Sequence, residues 1–309
     1  MNTFDLNLSD DLFTIEGCNA DEGEKLLRPH TTFLKDAWRR LRNNKIAIAA
    51  MCLLILIALY TLFGTMICGY DPTKMSKEMN QAPSLKHWFG TDKLGRDLFA
   101  RVSIGGRVSM LIGVVGALIT TLFGSIYGSV SAFIGGKVDA IMMRFVEIIS
   151  SIPYLIVVIM LSLMMNDSGV KSILLALCIV GWCQTARLVR GQVLQLVNSD
   201  YVTAARTLGV SNWKIILRHM IPNTMSVIIV NLTFRIPNYI FSEAFLSYVG
   251  LGISSPDTSW GSLASAGKEN MFFHPYQLFF PALMIALTML SFTLFGDGLR
   301  DALDPKLRR

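Results

Sequence analysis

Six long apolar stretches restrict this chain more than any other feature of its sequence. They cover residues 46–70, 108–136, 148–166, 172–186, 222–250 and 276–296. As a helix rising about 1.5 Å per residue, the first stretch is long enough to cross a hydrocarbon core of about 30 Å. Charged residues make up only 16% of the chain, whereas soluble proteins average about 25%. The sequence therefore predicts an all-α integral membrane protein with six transmembrane helices.

The distribution of basic residues predicts how these helices are oriented. An even number of spans places both termini on the same side of the membrane. The segments on that side carry 18 Lys and Arg residues, and those on the opposite side carry 8. Because cytoplasmic segments accumulate Lys and Arg, both termini are predicted to be cytoplasmic. The same bias accounts for the net charge of +6, so no nucleic-acid partner is expected.

The first 45 residues are predicted to form a cytoplasmic tail. Residues 1–24 hold seven acids and no base, which is typical of a solvated, poorly ordered segment. Residues 32–44 have a helical apolar face and predict a helix lying in the membrane interface. Simple anchoring of the first span by positive charge explains the same residues equally well. The apolar residues of that face are Phe33, Leu34, Ala37, Trp38 and Leu41.

The loop between the fourth and fifth spans, residues 199–221, is longer than a simple connection needs. It predicts two short helices separated by a turn, because Ser or Asp caps the start of a helix and Gly ends one. The capping and turn residues are, in chain order, Ser199 or Asp200, Gly209, Ser211 and Pro222. Small side chains at Ala204 and Ala205 allow a partner to approach the first helix closely. From the residues alone, the loop is either a mechanical coupling element or an amphipathic connection.

This loop resembles the EAA loop of type I ABC importer permeases. The residues that match its general pattern are Ala204, Ala205, Gly209 and Pro222. Thr203 replaces the glutamate of that pattern, and His219 replaces an isoleucine. Both departures agree with the variant found in peptide and nickel importers. The residues that match this variant are Asp200, Tyr201, Val202, Ala205, Arg206, Gly209, Ser211, His219, Pro222 and Asn223.

Three further segments are similar to the C-type permease subunit of oligopeptide and dipeptide ABC importers. Residues 90–97 read G-T-D-K-L-G-R-D, and residues 243–252 read E-A-F-L-S-Y-V-G-L-G. The carboxyl-terminal segment, residues 296–309, begins G-D-G-L-R-D. The resemblance extends from about Trp88 to the end of the chain, and no such motif is found in the first 45 residues.

The resemblance implies the type I ABC importer permease fold in a bacterial cell membrane. It implies half of a pore that a second permease subunit completes, two cytoplasmic ABC ATPases that hold the EAA loops, and an extracytoplasmic lipoprotein that delivers peptide. The pattern G-x-x-x-x-G-K-[ST] is absent from the sequence, so ATP and Mg²⁺ are expected in the partner subunits, no cofactor is expected in this chain, and it is not expected to be an enzyme. The residues expected to couple to the ATPase are Asp200, Tyr201, Ala204, Ala205, Arg206, Gly209, Ser211 and Pro222.

The ionisable residues inside the fifth span predict a functional position. A charge at the bilayer centre costs about 2.5–3.5 kcal/mol, so Arg235 and Glu243 are expected to avoid lipid. Together with Pro237, which frees a backbone carbonyl, they are predicted to line the translocation path. The alternative is a structural role in contacts between helices. In the last outer loop, Trp260 is predicted to be an interfacial aromatic residue.

Residues 71–106 are predicted to form an extracytoplasmic lobe. Two acids and two bases lie close together in its sequence. The lobe is predicted either to help dock the substrate-binding protein or to fold back and close the second span against the first. The residues expected to take part are Asp92, Gly95, Arg96 and Asp97.

Other functions were weighed against this interpretation. Among importers, uptake of nickel or antimicrobial peptides remains open, because those relatives share the motifs. A self-contained channel or secondary transporter predicts inverted repeats, and an intramembrane hydrolase needs a recognisable catalytic constellation, none of which is found. The five cysteines and four histidines show no metal-ligand spacing. The sequence thus predicts five parts in chain order. They are a cytoplasmic N-terminal tail (residues 1–45), the first transmembrane helix (46–70), the extracytoplasmic lobe (71–106), the permease core (107–298) and a cytoplasmic C-terminal tail (299–309).

Overall fold

The structure is a computed structural model that describes residues 33–165, 169–253 and 257–304. The regular elements among these residues are helical. In chain order they are α1 (Phe33–Asn43), α2 (Lys45–Cys68), α3 (Leu98–Ile134), α4 (Gly136–Ser150), α5 (Tyr154–Met165), α6 (Val170–Leu196), α7 (Asp200–Thr207), α8 (Asn212–Ile215), a π-helical turn (Ile216–Met220), α9 (Ile221–Tyr248), α10 (Trp260–Glu269) and α11 (Tyr276–Leu303). The acidic segment predicted in residues 1–24 lies outside the described residues.

Five helical segments are long and apolar enough to cross a membrane. They are α2, α3, α6, the segment Asn212–Tyr248 and α11. A sixth crossing is obtained only when α4 and α5 are counted together, and these two helices are bent by 74° relative to each other. The described residues thus form an all-α membrane bundle with five helical segments long enough to cross and one bent helix pair.

The prediction of one helix over residues 148–166 is wrong. The helix breaks at residues 151–153, where Pro153 has no N–H to donate and its ring clashes with the preceding turn. The Ser151 hydroxyl donates to the Glu147 carbonyl oxygen at 2.7 Å and so satisfies the end of α4. The uncharged stretch therefore contains a corner between two short helices.

Two predicted boundaries also differ from the structure. The Ala100 amide donates to Asp97 Oδ1 at 2.8 Å, so Asp97 caps the start of α3. Residues 98–106, predicted as part of the lobe, therefore belong to a helix of 37 residues. Likewise α11 continues through residues 299–303, which were predicted as cytoplasmic tail.

α3 and α6 approach each other along a pair of small residues. A Cβ atom at Gly124 would lie 2.6 Å from the carbonyl oxygen of Trp182, and one at Gly128 would overlap the carbonyl oxygen of Ala186. Only glycine allows two backbones to come this close. Gly124 and Gly128, spaced as G-x-x-x-G, thus allow the close contact between α3 and α6.

α1 is packed on the bundle as well as lying at its edge. Ala37 is buried against Val230 of α9 and Leu303 of α11. Leu41 is buried against Ala47 of α2 and Ala302 of α11, whereas Trp38 is 52% exposed. The predicted amphipathic helix therefore exists, and part of its apolar face contacts the protein's own helices.

α10 turns back into the bundle at its first residue. Trp260 is fully buried, and its indole Nε1 donates to the carbonyl oxygen of Val102 at 2.9 Å. Its backbone N–H donates to Ser109 Oγ at 3.1 Å, and a capping box at Ser259 fixes the start of the helix. The prediction that Trp260 is an interfacial aromatic is wrong, because α10 packs against α3.

Candidate functional site

The coupling segment, residues 199–222, has the predicted form of helix, turn and helix. α7 starts after Ser199 and α8 starts after Ser211, although neither serine side chain makes a capping hydrogen bond. Between the helices, Gly209 has a φ angle of +73°. A Cβ atom there would meet nothing within 4 Å. Gly209 is therefore needed for its left-handed backbone conformation and not for lack of space.

One face of α7 is packed against the bundle. Val202 and Ala205 are buried in a cluster with Phe133 at the end of α3 and Val189 of α6. The Arg206 guanidinium lies 4.5 Å from the centre of the Phe133 ring, at cation–π distance. Ala205 does not face a partner as predicted, because its side chain enters the chain's own core. α7 is therefore in direct contact with α3 and α6.

The opposite face of the coupling segment exposes large apolar side chains. Leu208 is 82% exposed and Trp213 is 59% exposed. Tyr201 and Ala204 are also exposed. Apolar surface of this kind on a water-facing loop is typical of a protein contact. Leu208 and Trp213 were not among the predicted site residues, although two large apolar residues on either side of Gly209, in a loop between predicted spans, could have indicated them.

The coupling segment enters α9 through a wider turn. Pro222 has no N–H, and just before it the Ile221 amide donates to the carbonyl oxygen of Ile216, five residues back. This π-helical geometry accommodates the proline at the start of the span. The amide nitrogen of the Asn223 side chain lies 3.3 Å from the Tyr201 hydroxyl. The start of α9 is thus tied to α7.

Asp92 holds the outer lobe together. Its Oδ1 atom accepts hydrogen bonds from the backbone amides of Leu94 and Arg96, each at 2.9 Å. Its Oδ2 atom accepts from Arg96 Nε at 2.8 Å and from Arg101 Nη1 at 2.5 Å. Arg101 also donates to Thr258 Oγ1 at 2.8 Å. Burial alone would raise the pKa of Asp92, but these amide and guanidinium donors hold it below its usual value.

His87 bridges two carboxylates beside this network. Its Nδ1 atom lies 2.8 Å from Asp97 Oδ2, and its Nε2 atom lies 3.0 Å from Glu78 Oε2. Glu78 also accepts from Lys86 Nζ at 2.5 Å. The lysine first and the histidine second lower the pKa of Glu78. Asp97 therefore caps α3 and anchors the lobe with the same carboxylate.

The four lobe residues predicted for docking all make contacts within the chain. Asp92 and Asp97 are buried, and Arg96 pairs with Asp92. Gly95 has a φ angle of +73°, and a Cβ atom there would overlap the carbonyl oxygen of Ser76. This geometry fits the structural alternative, in which the lobe folds back on the spans.

Glu243 is fully buried between three helices. Its carboxylate accepts hydrogen bonds from Ser109 Oγ and Ser247 Oγ, each at 2.8 Å. Ser109 in turn accepts the backbone N–H of Trp260, which joins α3, α9 and α10. Pro237 is also buried, and α9 passes through it without a break. Neither Glu243 nor Pro237 lines an open path as predicted.

Arg235 has a different environment in the middle of α9. The side chain is 7% exposed, yet its Nε atom is buried without a partner. Its Nη1 atom donates to the Tyr239 hydroxyl at 3.1 Å, and its Nη2 atom contacts Gln184 Oε1 at 3.4 Å. No carboxylate among the described residues pairs with it. Gln184 and Asn238 are exposed beside it, so Arg235 lies at the edge of an open polar surface.

The described residues do not meet the requirements of a metal site. They contain no group of three or more His, Cys, Asp or Glu side chains placed to hold a metal ion. The described cysteines, namely Cys52, Cys68, Cys178 and Cys183, are free thiols. The coupling segment combines exposed apolar side chains, which suit a protein contact, with packing of α7 on α3 and α6.

Two protein families match the chain. Residues 103–309 match the family described as the binding-protein-dependent transport system inner membrane component. Residues 32–83 match the N-terminal transmembrane domain of oligopeptide transport permease C. The similarity thus begins well before Trp88, where the sequence motifs first indicated it.

Full-length relatives agree with these matches. The dipeptide transport system permease protein DppC of Bacillus subtilis (strain 168) is 45% identical over 302 residues, 97% of this chain and 94% of the relative. The oligopeptide transport system permease protein OppC of the same strain is 44% identical over 304 residues, 98% of this chain and 99% of the relative. A solved structure of the inward-facing methionine ABC transporter MetNI matches with a TM-score of 0.54 at 16% identity and covers 66% of this chain and 96% of that chain. That likeness concerns the fold alone.

Proposed function

The chain belongs to the family of binding-protein-dependent inner membrane transport components, and from this premise we propose that it forms one half of the pore of a bacterial peptide importer. A second permease subunit completes the pore. An extracytoplasmic lipoprotein delivers an oligopeptide or dipeptide to the outer side. Support for this class of substrate comes from the relatives, which are named as dipeptide, oligopeptide and glutathione transport permeases.

The observation that carries the proposal is the two-sided placement of α7. Its inner face packs on α3 and α6 through Val202 and Ala205, and the turn and α8 that follow it present the exposed Leu208 and Trp213. A helix in this position can be held by a partner and can move the spans at the same time. We assign it as the coupling helix, with Arg206 keeping it seated on the bundle.

The partner at α7 is one of two cytoplasmic ABC ATPases, and ATP and Mg²⁺ bind there. Leu208 and Trp213 insert into a groove of the ATPase, and the exposed Asp200, Tyr201 and Ala204 surround them. Both termini lie on this cytoplasmic side, which is supported by the excess of Lys and Arg in the same segments.

On the opposite side of the membrane, the outer lobe receives the binding protein. Asp92, Gly95, Arg96 and Asp97 act indirectly, because their mutual contacts keep the lobe in shape. The residues that touch the delivering protein are therefore expected on the exposed rim, where Lys93 is 53% exposed along its side chain.

A glycine substitution tests the coupling role. Valine at position 209 strains the left-handed turn without any clash, so Gly209→Val is expected to abolish peptide uptake while the complex still assembles. The matched control is Gly191→Val, since Gly191 also has open space but no positive φ angle. Uptake is measured in membrane vesicles that contain all subunits. Undiminished uptake by an assembled Gly209→Val complex would contradict the assignment.

A further inference from the structure

The buried cation of α9 stands beside an unusual set of polar residues at mid-membrane. Arg235 lies near the middle of α9, and Gln184 lies near the middle of α6. Asn231 and Asn238 are one turn before and after Arg235 on the same side of the helix. The side chain of Asn231 donates to Thr185 Oγ1 at 3.1 Å. Exposed amides are costly in hydrocarbon, so this face of α6 and α9 is not a lipid-facing surface.

The contacts of Arg235 leave its charge without a counter-ion. Both of its hydrogen-bond acceptors, Tyr239 and Gln184, are neutral, and the Gln184 contact is long at 3.4 Å. The Nε atom has no partner. A desolvated guanidinium binds carboxylates in bidentate fashion through two adjacent N–H groups. Nε together with one terminal nitrogen is such a pair of groups, and only the weak Gln184 contact occupies it.

A cavity leads from this cluster toward the coupling segment. Its volume is about 390 Å³, and its lining includes Leu188, Asn231, Phe234 and Arg300. Leu188 is one helical turn from Gln184 toward the end of α6, so the cavity begins next to the cluster. Arg300 supplies a second cation at the other end, and its guanidinium lies 5.6 Å from the centre of the Phe234 ring. Asn231 is thus the member of the cluster that lines this cavity, and Arg300 lies in the same lining together with Asp304.

We propose that Arg235, covered by Gln184, is a transient binding site for the carboxyl-terminal carboxylate of the transported peptide. The carboxylate displaces the Gln184 contact, binds the guanidinium through Nε and a terminal nitrogen, and leaves along the cavity toward Arg300. Because every peptide carries this group, the site accepts peptides without reading their side chains. This inference rests on the proposed import function and adds the chemical group that the path recognises.

The test compares trialanine with trialanine amide in vesicles that hold the complete complex and saturating binding protein. The binding protein is the same throughout, so its own preference cancels between variants. Arg235→Gln is expected to lower the uptake ratio of free peptide to amide by about tenfold, and Arg235→Lys to retain most of it. An unchanged ratio in Arg235→Gln overturns the site.

Arg107→Gln is the matched control. Arg107 is a structural arginine that donates to the carbonyl oxygens of Thr61 and Leu62, each at 2.7 Å. Its replacement is expected to leave the uptake ratio unchanged even where it lowers the amount of complex. If the wild-type complex imports neither peptide, the proposed function itself fails, which is distinct from import with an unaltered ratio.

A second variant tests the site when Arg235→Gln does not assemble. Gln184→Glu places a built-in carboxylate against Arg235, so uptake of trialanine is expected to fall about tenfold in an intact complex. The double variant Gln184→Glu with Arg235→Lys is expected to stay blocked, because the added carboxylate still meets a cation. A merely structural arginine would tolerate the new ion pair. Normal uptake by Gln184→Glu overturns the proposal.

Discussion

The outer lobe and the coupling segment lie at opposite ends of the bundle and are held by different forces. In the lobe, the buried Asp92 accepts four hydrogen bonds, two of them from guanidinium groups. The coupling segment has apolar packing on its inner face and no ion pair among its described residues. Its outer face leaves Leu208 and Trp213 uncovered. The charged groups of the lobe network are therefore paired within the chain, whereas the coupling segment leaves apolar surface uncovered.

The two regions even use glycine differently. Gly95 and Gly209 both have a φ angle of +73°. Around Gly95 the chain is crowded, and around Gly209 it is open. In the outer lobe, replacing a residue of the network is expected to lower the stability of the chain. In the coupling segment, replacing an exposed apolar residue is expected to weaken binding of a partner and to leave stability nearly unchanged. Four experiments separate these cases.

The largest expected effect is the loss of the central carboxylate of the lobe. Asp92→Ala leaves the Arg96 and Arg101 guanidinium groups without their counter-ion, and breaking a buried pair in this way costs about 3–5 kcal/mol. Thermal unfolding of the purified chain in detergent measures the change. The control is Lys93→Ala, whose pairing with Glu269 at 3.0 Å is exposed and contributes at most about 1 kcal/mol. Equal losses of stability in Asp92→Ala and Lys93→Ala would show that the buried ion pairs of Asp92 contribute no more than the exposed pair of Lys93.

The paired glycines sharpen the comparison. Gly95→Ala combines backbone strain with an overlap on Ser76 and is expected to cost about 3 kcal/mol. Gly209→Ala carries only the strain of a left-handed alanine, about 1 kcal/mol. The same unfolding measurement applied to both variants gives the difference. If the two substitutions lower the free energy of unfolding equally, the overlap with Ser76 makes no contribution at Gly95.

The coupling segment is expected to respond in binding and not in stability. Trp213→Ala removes an exposed anchor and is expected to weaken association with the ATPase by about 2 kcal/mol, measured by titration with the purified subunit. Its effect on unfolding of the chain is expected to stay within about 0.5 kcal/mol. Trp88→Ala is the matched control, since Trp88 is 48% exposed on the outer lobe. Weaker association in both variants would argue against a specific contact at α8.

The smallest expected effect concerns pH. The folded-state pKa of Asp92 lies below its usual value, so its contribution to stability is present at neutral pH and is lost as the pH falls through that pKa. Hydrogen exchange at the Leu94 and Arg96 amides, corrected for the intrinsic effect of pH, is therefore expected to accelerate in acid. Asp92→Asn is expected to remove this dependence. The amides of α7 serve as an internal reference, because apolar packing holds that helix.

Features that depend on neighbouring residues in the sequence could be predicted. Features that depend on packing between distant segments could not. Gly209 ends a helix through its own backbone, and Gly124 with Gly128 marks a helix contact by spacing alone. Ala205 shows the limit. α7 has only eight residues, and which side of so short a helix faces inward depends on where Phe133 arrives from a distant part of the chain.

Two of the wrong assignments, the single helix over residues 148–166 and the interfacial position of Trp260, have similar causes. Pro153 could have indicated the break. The prediction of one span over residues 148–166 gave more weight to the absence of charged residues across that stretch. Trp260 has the composition of an interfacial residue, and only the return of α10 into the bundle shows that its ring is enclosed. The residues predicted to line the translocation path all lie in α9, namely Arg235, Pro237 and Glu243. The helical turn nevertheless places Glu243 against Ser109 and Ser247, and it places Arg235 next to the exposed Gln184 and Asn238.

α3 is long enough to connect the outer lobe with the coupling segment. At about 1.5 Å per residue, its 37 residues make a rod of about 55 Å, nearly twice the thickness of the hydrocarbon core. The rod begins at Asp97 inside the lobe and reaches Phe133, beneath Arg206, near its other end. α3 is one uninterrupted helix between these points. The outer lobe and the coupling segment are therefore attached to a single rigid element, so the positions of its two ends cannot change independently.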